Sequence, residues 1–214
     1  MIIKSFPVNP LSENCYVVSD ETREAVIIDC GAYYDDEKAM IAKYIRDNDL
    51  KPVAHLLTHA HFDHFWGADY IAELYGLPPR CPQPDRPLYD DVDGQVRSIL
   101  HYSIRCANPP AGEDITPESV IRFGNHRLTV IPCPGHTPGG VCYYCEEEKV
   151  LFSGDSLFQN SIGRTDFPGG DLWTLIDALK ALIKTLPPDT VVYPGHGLKT
   201  TIGTEHHHNP YLFG

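Results

Sequence analysis

The sequence predicts an α/β fold in which two β-sheets are covered by helices. Strand-like apolar runs fall into two groups, one in each half of the 214-residue chain, and helical patterns accompany both groups. The 19 proline and 17 glycine residues are spread along the chain and mark many short connections. No linker-like or low-complexity stretch separates the halves, so we expect residues 1–214 to form a single domain.

The first half begins with closely spaced strands. These strand-like runs cover residues 1–6, 15–19 and 24–29. A helix is predicted over residues 36–48, because apolar side chains recur there at helical spacing. A short apolar run over 52–58 leads into a histidine cluster, and residues 65–76 again have a helical pattern.

The second half resumes the strands after an irregular middle. Residues 78–118 are rich in proline, and the pattern there predicts one helix near 86–100. The later strand-like runs cover residues 120–123, 127–132, 141–144, 150–153 and 190–193. A helix is predicted over 171–186, because an aspartate stands at its start and two prolines follow its end.

Composition excludes several classes of function. Seventeen Lys and Arg residues against 29 Asp and Glu residues give a net charge of −12, which disfavours nucleic-acid binding. No apolar run approaches the roughly 20 residues of a membrane span. The first residues lack the basic and apolar regions of a secretory signal. We therefore expect a cytoplasmic protein that acts on small molecules, without nucleic-acid or membrane partners.

Seven cysteines are expected to be free thiols in a reducing compartment. Cys142 and Cys145 form an isolated C-x-x-C, but they lie on a predicted strand. Alternation along that strand would direct the two side chains to opposite faces. A redox or zinc role for this pair is therefore disfavoured.

Histidine and aspartate residues cluster where predicted strands end. The motif THAHFDH spans residues 58–64, and three later segments, PCPGHTPGG, LFSGDS and YPGHG, each end a strand-like run. The candidate ligands are His59, His61, Asp63, His64, His136, Asp155 and His196. Side chains presented by the ends of rigid strands can converge on one point, so we expect one common site.

The number and type of these side chains predict a metal centre. A catalytic zinc takes three protein ligands and a water, so seven ligands suit two ions if one carboxylate bridges them. Nitrogen and oxygen donors without thiolate favour zinc, iron or manganese. Two ions about 3.5–4 Å apart can share a hydroxide and polarise a carbonyl together.

The string H-x-H-x-D-H, followed by separate His, Asp and His residues, resembles the metallo-β-lactamase superfamily from residue 29 to residue 196. This resemblance implies a four-layer αββα sandwich with the metals at one edge of the two sheets. The implied ligands of the first metal are His59, His61 and His136, and those of the second are Asp63, His64 and His196, with Asp155 bridging. Asp29 is implied to orient ligands from behind the metals.

Within the superfamily, PGHTPGG and SIGRTDFPGGD are most similar to the short bacterial members of the glyoxalase II group. That similarity implies hydrolysis of a thioester, S-2-hydroxyacylglutathione first, by a hydroxide bound to two divalent metal ions. Zinc is the first choice of metal, with iron or manganese as alternatives, and Asp63 and Asp155 are the implied catalytic carboxylates. Arg164 is the candidate to bind a substrate anion, and a structural ion pair is its alternative role. The oligomeric state is not predicted.

Other activities stay open at this point. The persulfide dioxygenases have similar loops and bind one iron through residues equivalent to His59, His136 and Asp155. Another small-molecule ester or acyl hydrolase and a non-catalytic binding protein are further alternatives. Two-domain glyoxalase II enzymes also have a basic helical C-terminal domain, whereas only 18 residues follow His196 here. Residues 85–106 are therefore candidates to cover the mouth of the site, or else form an ordinary surface helix.

Overall fold

The computed structural model describes residues 1–101 and 109–212. Its strands are β1 (Ile2–Val8), β2 (Glu13–Ser19), β3 (Glu24–Ile28), β4 (Lys51–Leu56), β5 (Cys81–Pro82), β6 (Asp114–Ile115), β7 (Val120–Phe123), β8 (His126–Pro132), β9 (Val141–Cys145), β10 (Val150–Gly154), β11 (Leu157–Phe158), β12 (Ser161–Ile162), β13 (Val191–Pro194) and β14 (Thr200–Thr201). Its helices are α1 (Asp35–Asp47), α2 (Ala68–Tyr75), α3 (Arg86–Tyr89), α4 (Val92–Leu100), α5 (Leu172–Thr185) and α6 (Ile202–His208). Short 3-10 turns cover Phe62–His64 and Gln83–Asp85.

Two sheets contain most of the strands. The four-stranded sheet has the order β1-β2-β3-β4, and only its β3–β4 pair is parallel. The six-stranded sheet has the order β14-β13-β10-β9-β8-β7, and its parallel pair is β10–β13. The remaining strands form two small pairs, β5 with β6 and β11 with β12.

Apolar side chains on both faces of each sheet explain the layering. One core cluster lies between the sheets and contains Val18, Ile28 and Phe152. A second packs the outer face of the four-stranded sheet against α1 and α2, and a third packs the six-stranded sheet against α5. Because a strand alternates its side chains between two faces, sheets covered on both sides need apolar residues at nearly every position. The αββα sandwich is confirmed.

Most predicted elements are present, but the single helix over residues 86–100 is wrong. The segment forms α3 and α4, because Asp91 accepts a hydrogen bond from the Gly94 backbone N–H and starts a new helix. Helix α2 begins at Ala68, later than predicted, since residues 65–67 form a turn that follows the 3-10 turn at Phe62–His64. Two-residue strands such as β5 and β14 were not predicted, because they are too short to show a periodic pattern.

Cys142 and Cys145 lie on opposite faces of β9, as alternation predicted. Cys142 packs in the cluster beneath α5, and Cys145 packs between the two sheets. The six cysteines within the described ranges are buried free thiols, while Cys106 lies outside those ranges. Within the same ranges, every helix is too short or too polar to cross a bilayer.

Candidate metal centre

The four ligand-bearing segments follow the ends of β4, β8, β10 and β13. Strand β4 belongs to the four-stranded sheet and the other three belong to the six-stranded sheet. Backbone hydrogen bonds join the sheets at this edge, from Val141 N to Thr58 O at 2.9 Å and from Asn14 N to Gly195 O at 2.7 Å. The fold thus brings segments up to about 140 residues apart in sequence to one edge of the sandwich.

Three imidazoles form the first group of candidate ligands. His59, His61 and His136 are buried, and one ligand atom from each lies within 4.8 Å of the others. His61 Nδ1 lies 2.9 Å from His136 Nε2. This is the set that the resemblance implied for the first metal.

The second group combines a carboxylate with two imidazoles. Ligand atoms of Asp63, His64 and His196 also lie within 4.8 Å of one another. His196 Nε2 is 3.3 Å from Asp63 Oδ2, and His64 Nε2 is 3.9 Å from the same oxygen. The structure therefore brings together the three side chains implied for the second metal.

Asp155 lies between the two groups. Its Oδ2 is 3.7 Å from His136 Nε2 in the first group and 3.6 Å from His196 Nε2 in the second. Its Oδ1 is 3.4 Å from His64 Nε2. A carboxylate in this position can bridge two ions.

Hydrogen bonds on the outer side of the rings fix which nitrogen faces the site. The carbonyl oxygens of Arg164 and Leu11 accept from Nδ1 of His136 and His196, so in the neutral form of both rings the lone pair lies on Nε2. Thr58 Oγ1 donates to Asp29, and it therefore accepts from Nδ1 of His59. Such partners are typical behind histidines that bind metals, because they set the tautomer and aim the ring.

Burial and neighbouring charges shift the pKa values of the candidate ligands in different directions in the two groups. Burial lowers the pKa of His61 to about 3, and it also lowers the pKa of His59, with neighbouring imidazoles adding to both shifts. Burial opposes ionisation of Asp155, but the imidazoles of His64, His196 and His136 together outweigh it and lower the pKa of the carboxyl. Metal ions bind neutral imidazoles and ionised carboxylates. Burial opposes protonation of His64 and His196, but Asp155 and Asp63 outweigh it and raise the pKa of both imidazoles, so a metal ion bound to the second group would displace protons.

The residues present fit a divalent metal centre. His59 Nε2 and Asp155 Oδ1 are buried without any hydrogen-bond partner, an arrangement that costs free energy unless something else binds these atoms. A Cβ on Gly195 would collide with Asp155 Oδ1 and would lie 2.7 Å from His64 Cε1, so only glycine leaves the carboxylate in place. The donors are imidazole nitrogens and carboxylate oxygens, which suit zinc, iron or manganese.

A cleft of about 410 Å³ opens above five of the seven candidate ligands. Those five are His61, Asp63, His136, Asp155 and His196. Its walls are mostly apolar and are formed by the side chains of Leu11, Phe62, Ile99, Leu100 and Phe167. The cleft therefore combines a polar floor with walls that suit the apolar part of a small molecule.

Asp29 and Arg164 lie beside the cluster. Both oxygens of Asp29 accept hydrogen bonds from Thr58, and Oδ2 lies 3.1 Å from His64 Nδ1. Arg164 lines the cleft, but its guanidinium forms two 2.7 Å hydrogen bonds to Asp166 and stacks 3.8 Å from the centre of the Phe167 ring. The ion pair considered for Arg164 is therefore present at the rim of the cleft.

Residues 85–106 were expected to cover the mouth of the site, and part of this segment lines the cleft. Ile99 and Leu100 of α4 line the cleft, whereas Tyr89 is buried and stacks on Phe65. Residues 102 and 105, also considered for the mouth, lie outside the described ranges. The helix α4 is thus part of the site rather than an ordinary surface helix.

Sequence reasoning missed several polar residues around the ligands. Glu13 is fully buried, and its carboxylate accepts a hydrogen bond from Gly31 N and lies near Asp29 and His64. Asn9 donates to the backbone oxygen of Asp63 at 2.9 Å. Their partners are distant along the chain, and both residues lie in polar stretches outside the predicted strands, so the local sequence gives no signal for either.

Comparison with known proteins finds a matching family model and relatives that align over nearly the whole chain. A family model described as the metallo-beta-lactamase superfamily matches residues 8–196. The probable metallo-hydrolase YqgX of Bacillus subtilis is 36% identical, over 99% of this chain and 97% of that protein. The hydroxyacylglutathione hydrolase GloC of Haemophilus influenzae is 33% identical, over 99% of this chain and 98% of that protein.

Two solved structures are similar over nearly the whole chain. The BLEG-1 B3 metallo-beta-lactamase has a TM-score of 0.90 and 39% identity, covering 100% of both chains. The protein TTHA1623 in a di-iron-bound form has a TM-score of 0.84 and 38% identity, covering 98% of this chain and 100% of that one.

Proposed function

Because the chain belongs to the metallo-beta-lactamase superfamily of metal-dependent hydrolases, we propose that it hydrolyses a small-molecule thioester, with S-2-hydroxyacylglutathione as the leading substrate. The observation that carries the proposal is the convergence of seven nitrogen and oxygen donors in two groups that share Asp155 at the floor of one cleft. The described lining of the cleft contains no serine, cysteine or lysine side chain. An activated water is therefore the nucleophile that the site favours.

The protein's own residues would bind the ions and orient the reactants. When bound, two divalent ions, zinc first and iron or manganese as alternatives, supply an acidified water and polarise the substrate carbonyl. The two histidine-containing groups would hold one ion each. Asp63 and Asp155, the proposed catalytic carboxylates, would accept hydrogen bonds from the attacking water and keep it aligned. Ring positions are fixed by the backbone carbonyls behind His136 and His196.

A thioester suits the groups that line the cleft. A thiolate leaves readily without a strong proton donor, and in the described lining the polar side chains other than Arg164 are candidate metal ligands. The relative GloC supports this substrate class, because it is named a hydroxyacylglutathione hydrolase and 98% of its length aligns with this chain. An alignment of that extent supports glutathione-thioester hydrolysis by a protein of about this length.

Arg164 is the proposed contact for an anionic group of the substrate. Its guanidinium lies at the rim of the cleft, and its side chain is 57% exposed. Asp166 now pairs with it, so a substrate carboxylate would have to compete with that residue. Arg164 would then contribute to binding more than to chemistry.

The experiment is to measure thiol release from S-D-lactoylglutathione by purified protein loaded in turn with zinc, iron and manganese. We expect turnover on the order of 1 per second or faster with at least one metal. The matched control is Asp155→Asn protein, prepared and loaded in the same way. A wild-type protein that carries metal but releases no thiol would overturn the glutathione-thioester proposal.

A panel of other substrates separates the remaining activities. Oxygen uptake with glutathione persulfide and iron-loaded protein would indicate the dioxygenase, which needs only one ion. Hydrolysis of a chromogenic cephalosporin would indicate a β-lactamase, the activity for which BLEG-1 is named. Hydrolysis of other thioesters alone would retain the reaction class and change the carrier.

A further inference from the structure

Asp85 connects the two loops that carry the first group of imidazoles. It ends the 3-10 turn before α3, and its side chain is fully buried. Oδ2 accepts hydrogen bonds from Ala60 N at 3.1 Å and from Thr137 Oγ1 at 2.7 Å, and Oδ1 accepts from Gly139 N at 2.5 Å. Three charge-assisted hydrogen bonds to one carboxylate form a strong and directional junction.

These donors lie next to the candidate ligands in sequence. Ala60 lies between His59 and His61, while Thr137 and Gly139 follow His136 by one and three residues. One loop extends from the four-stranded sheet and the other from the six-stranded sheet. Asp85 therefore joins the loop that carries His59 and His61 to the loop that carries His136, and so fixes the distance between their imidazoles.

The glycine-rich loop is shaped to receive this carboxylate. A Cβ on Gly139 would lie 2.7 Å from Asp85 Oδ1 and 2.8 Å from Asp85 N, closer than real Cβ contacts allow. A larger residue at position 139 would push the carboxylate away. Close packing against Asp85 therefore requires glycine at position 139.

Gln95 holds the same histidine loop from the side of α4. Its Nε2 donates to the backbone oxygens of Ala60 at 2.8 Å and Leu88 at 2.6 Å, and its Oε1 accepts from Phe62 N at 3.2 Å. Both backbone polar groups of Ala60 are therefore bound, the N–H by Asp85 and the carbonyl by Gln95.

We infer that Asp85 is a positioning residue for the first metal site, assisted by Gln95, and that it acts on this site in preference to the second. The second group is held by other contacts, from Asn9 to Asp63 O and from His196 Nδ1 to Leu11 O. The inference rests on the proposed metal ligands but not on the proposed substrate.

The test is a stepwise titration of metal-free protein with Co²⁺ alone, followed by visible absorption and total metal analysis. For Asp85→Asn we expect the affinity of the first site to fall about 10–100-fold, the range for residues that orient metal ligands. The affinity of the second site should change no more than about twofold. An amide in this position presents N–H groups to backbone N–H donors, so at least one of the three hydrogen bonds is lost.

Asp20→Asn is the matched control. Asp20 is also buried and accepts hydrogen bonds from Thr22 and Asn125, but it follows β2 at the end opposite to Glu13 and the metal centre. We expect its variant to lose a similar number of hydrogen bonds and to keep the wild-type ratio of the two affinities. That ratio distinguishes positioning from a general loss of stability.

Two further variants keep the inference testable if Asp85→Asn does not fold. Gln95→Ala and Gly139→Ala should each weaken the first site selectively, and combining Gly139→Ala with Asp85→Asn should add little, because both act through one junction. Equal weakening of both sites, or an unchanged first site in these variants, would overturn the inference. Wild-type protein that binds no Co²⁺ would instead overturn the ligand assignment, whatever the substrate.

Discussion

Asp155 Oδ1 lies 3.4 Å from Nε2 of His64, which belongs to the second group of candidate ligands. The other oxygen of the same carboxylate, Oδ2, lies 3.7 Å from Nε2 of His136 in the first group. One side chain therefore contacts both groups, and its position just after β10 is fixed by the sheet. Loss of this carboxylate should affect both proposed ions together.

The first prediction concerns Asp155→Asn. We expect the bound metal to fall from two ions to one or fewer, and thioester hydrolysis to fall at least about 100-fold, because a fixed charge at the reacting carbonyl is lost. Metal analysis and steady-state kinetics on the same preparation measure both effects. Asp189→Asn, which removes a surface carboxylate paired with Lys149, should leave both values unchanged. Full activity with two bound ions in Asp155→Asn would refute the bridging role.

The second prediction concerns Asp29→Asn. Asp29 has a backbone φ of 52°, a left-handed conformation that asparagine also tolerates, so this substitution tests the carboxylate rather than the backbone. Both oxygens bind Thr58, and one lies 3.1 Å from His64 Nδ1. We expect metal affinity to fall about 10–100-fold in competition with a chelator. Unchanged affinity would show that Asp29 does not orient the ligands.

The candidate ligands could be predicted because each of them closely follows a strand in sequence. Short-range patterns indicate strand ends, and the histidine and aspartate residues there stand out by type. Asp85 and Gln95 could not be predicted, since their partners on the ligand loops lie 25 to 54 residues away and nothing in the local pattern distinguishes them from surface residues. The break between α3 and α4 was missed for a related reason, because Asp91 interrupts a pattern that is otherwise helical.

The third prediction separates Arg164 from its partner Asp166. If Arg164 binds a substrate anion, Arg164→Ala should raise KM for an anionic thioester several-fold, with a smaller change in kcat. Asp166→Asn should lower KM for the same substrate, because the guanidinium no longer pairs with a neighbouring carboxylate. A neutral thioester should respond to neither change. Equal effects on charged and neutral substrates would show that Arg164 acts structurally.

The fourth prediction concerns metal removal. A ligand present at 1,000 times its Kd stabilises the folded state by about 4 kcal/mol, so chelation should lower the midpoint of thermal unfolding by about 10 °C. Differential scanning calorimetry with and without chelator measures this shift. A variant with His206, His207 and His208 all replaced by alanine should show the same shift, since these side chains are exposed on α6 and belong to neither group of candidate ligands. A shift that disappears in this variant would place the stabilising metal on α6.

His55 provides a prediction about pH that does not involve the metal ligands. It lies on β4 opposite Ile27, its side chain is buried, and neither ring nitrogen has a hydrogen-bond partner. Burial alone lowers its pKa to about 3. The folded protein therefore keeps this ring neutral at pH values where the unfolded chain, with a histidine pKa near 6.5, already binds a proton.

Because the pKa of His55 differs between the folded and unfolded states, the free energy of unfolding depends on pH. Between pH 6.5 and about 3 the unfolded state binds more protons at this site, so the free energy of unfolding falls as the pH falls. From pH 7 to pH 5 the loss attributable to His55 is about 2 kcal/mol. In His55→Leu this pH-dependent loss of unfolding free energy should be absent. Urea unfolding of metal-free protein at both pH values measures it. His207→Leu, which removes an exposed ring, should keep the wild-type dependence on pH. If His55→Leu loses as much stability as the wild type between pH 7 and pH 5, the buried ring is not the group that binds the proton on unfolding.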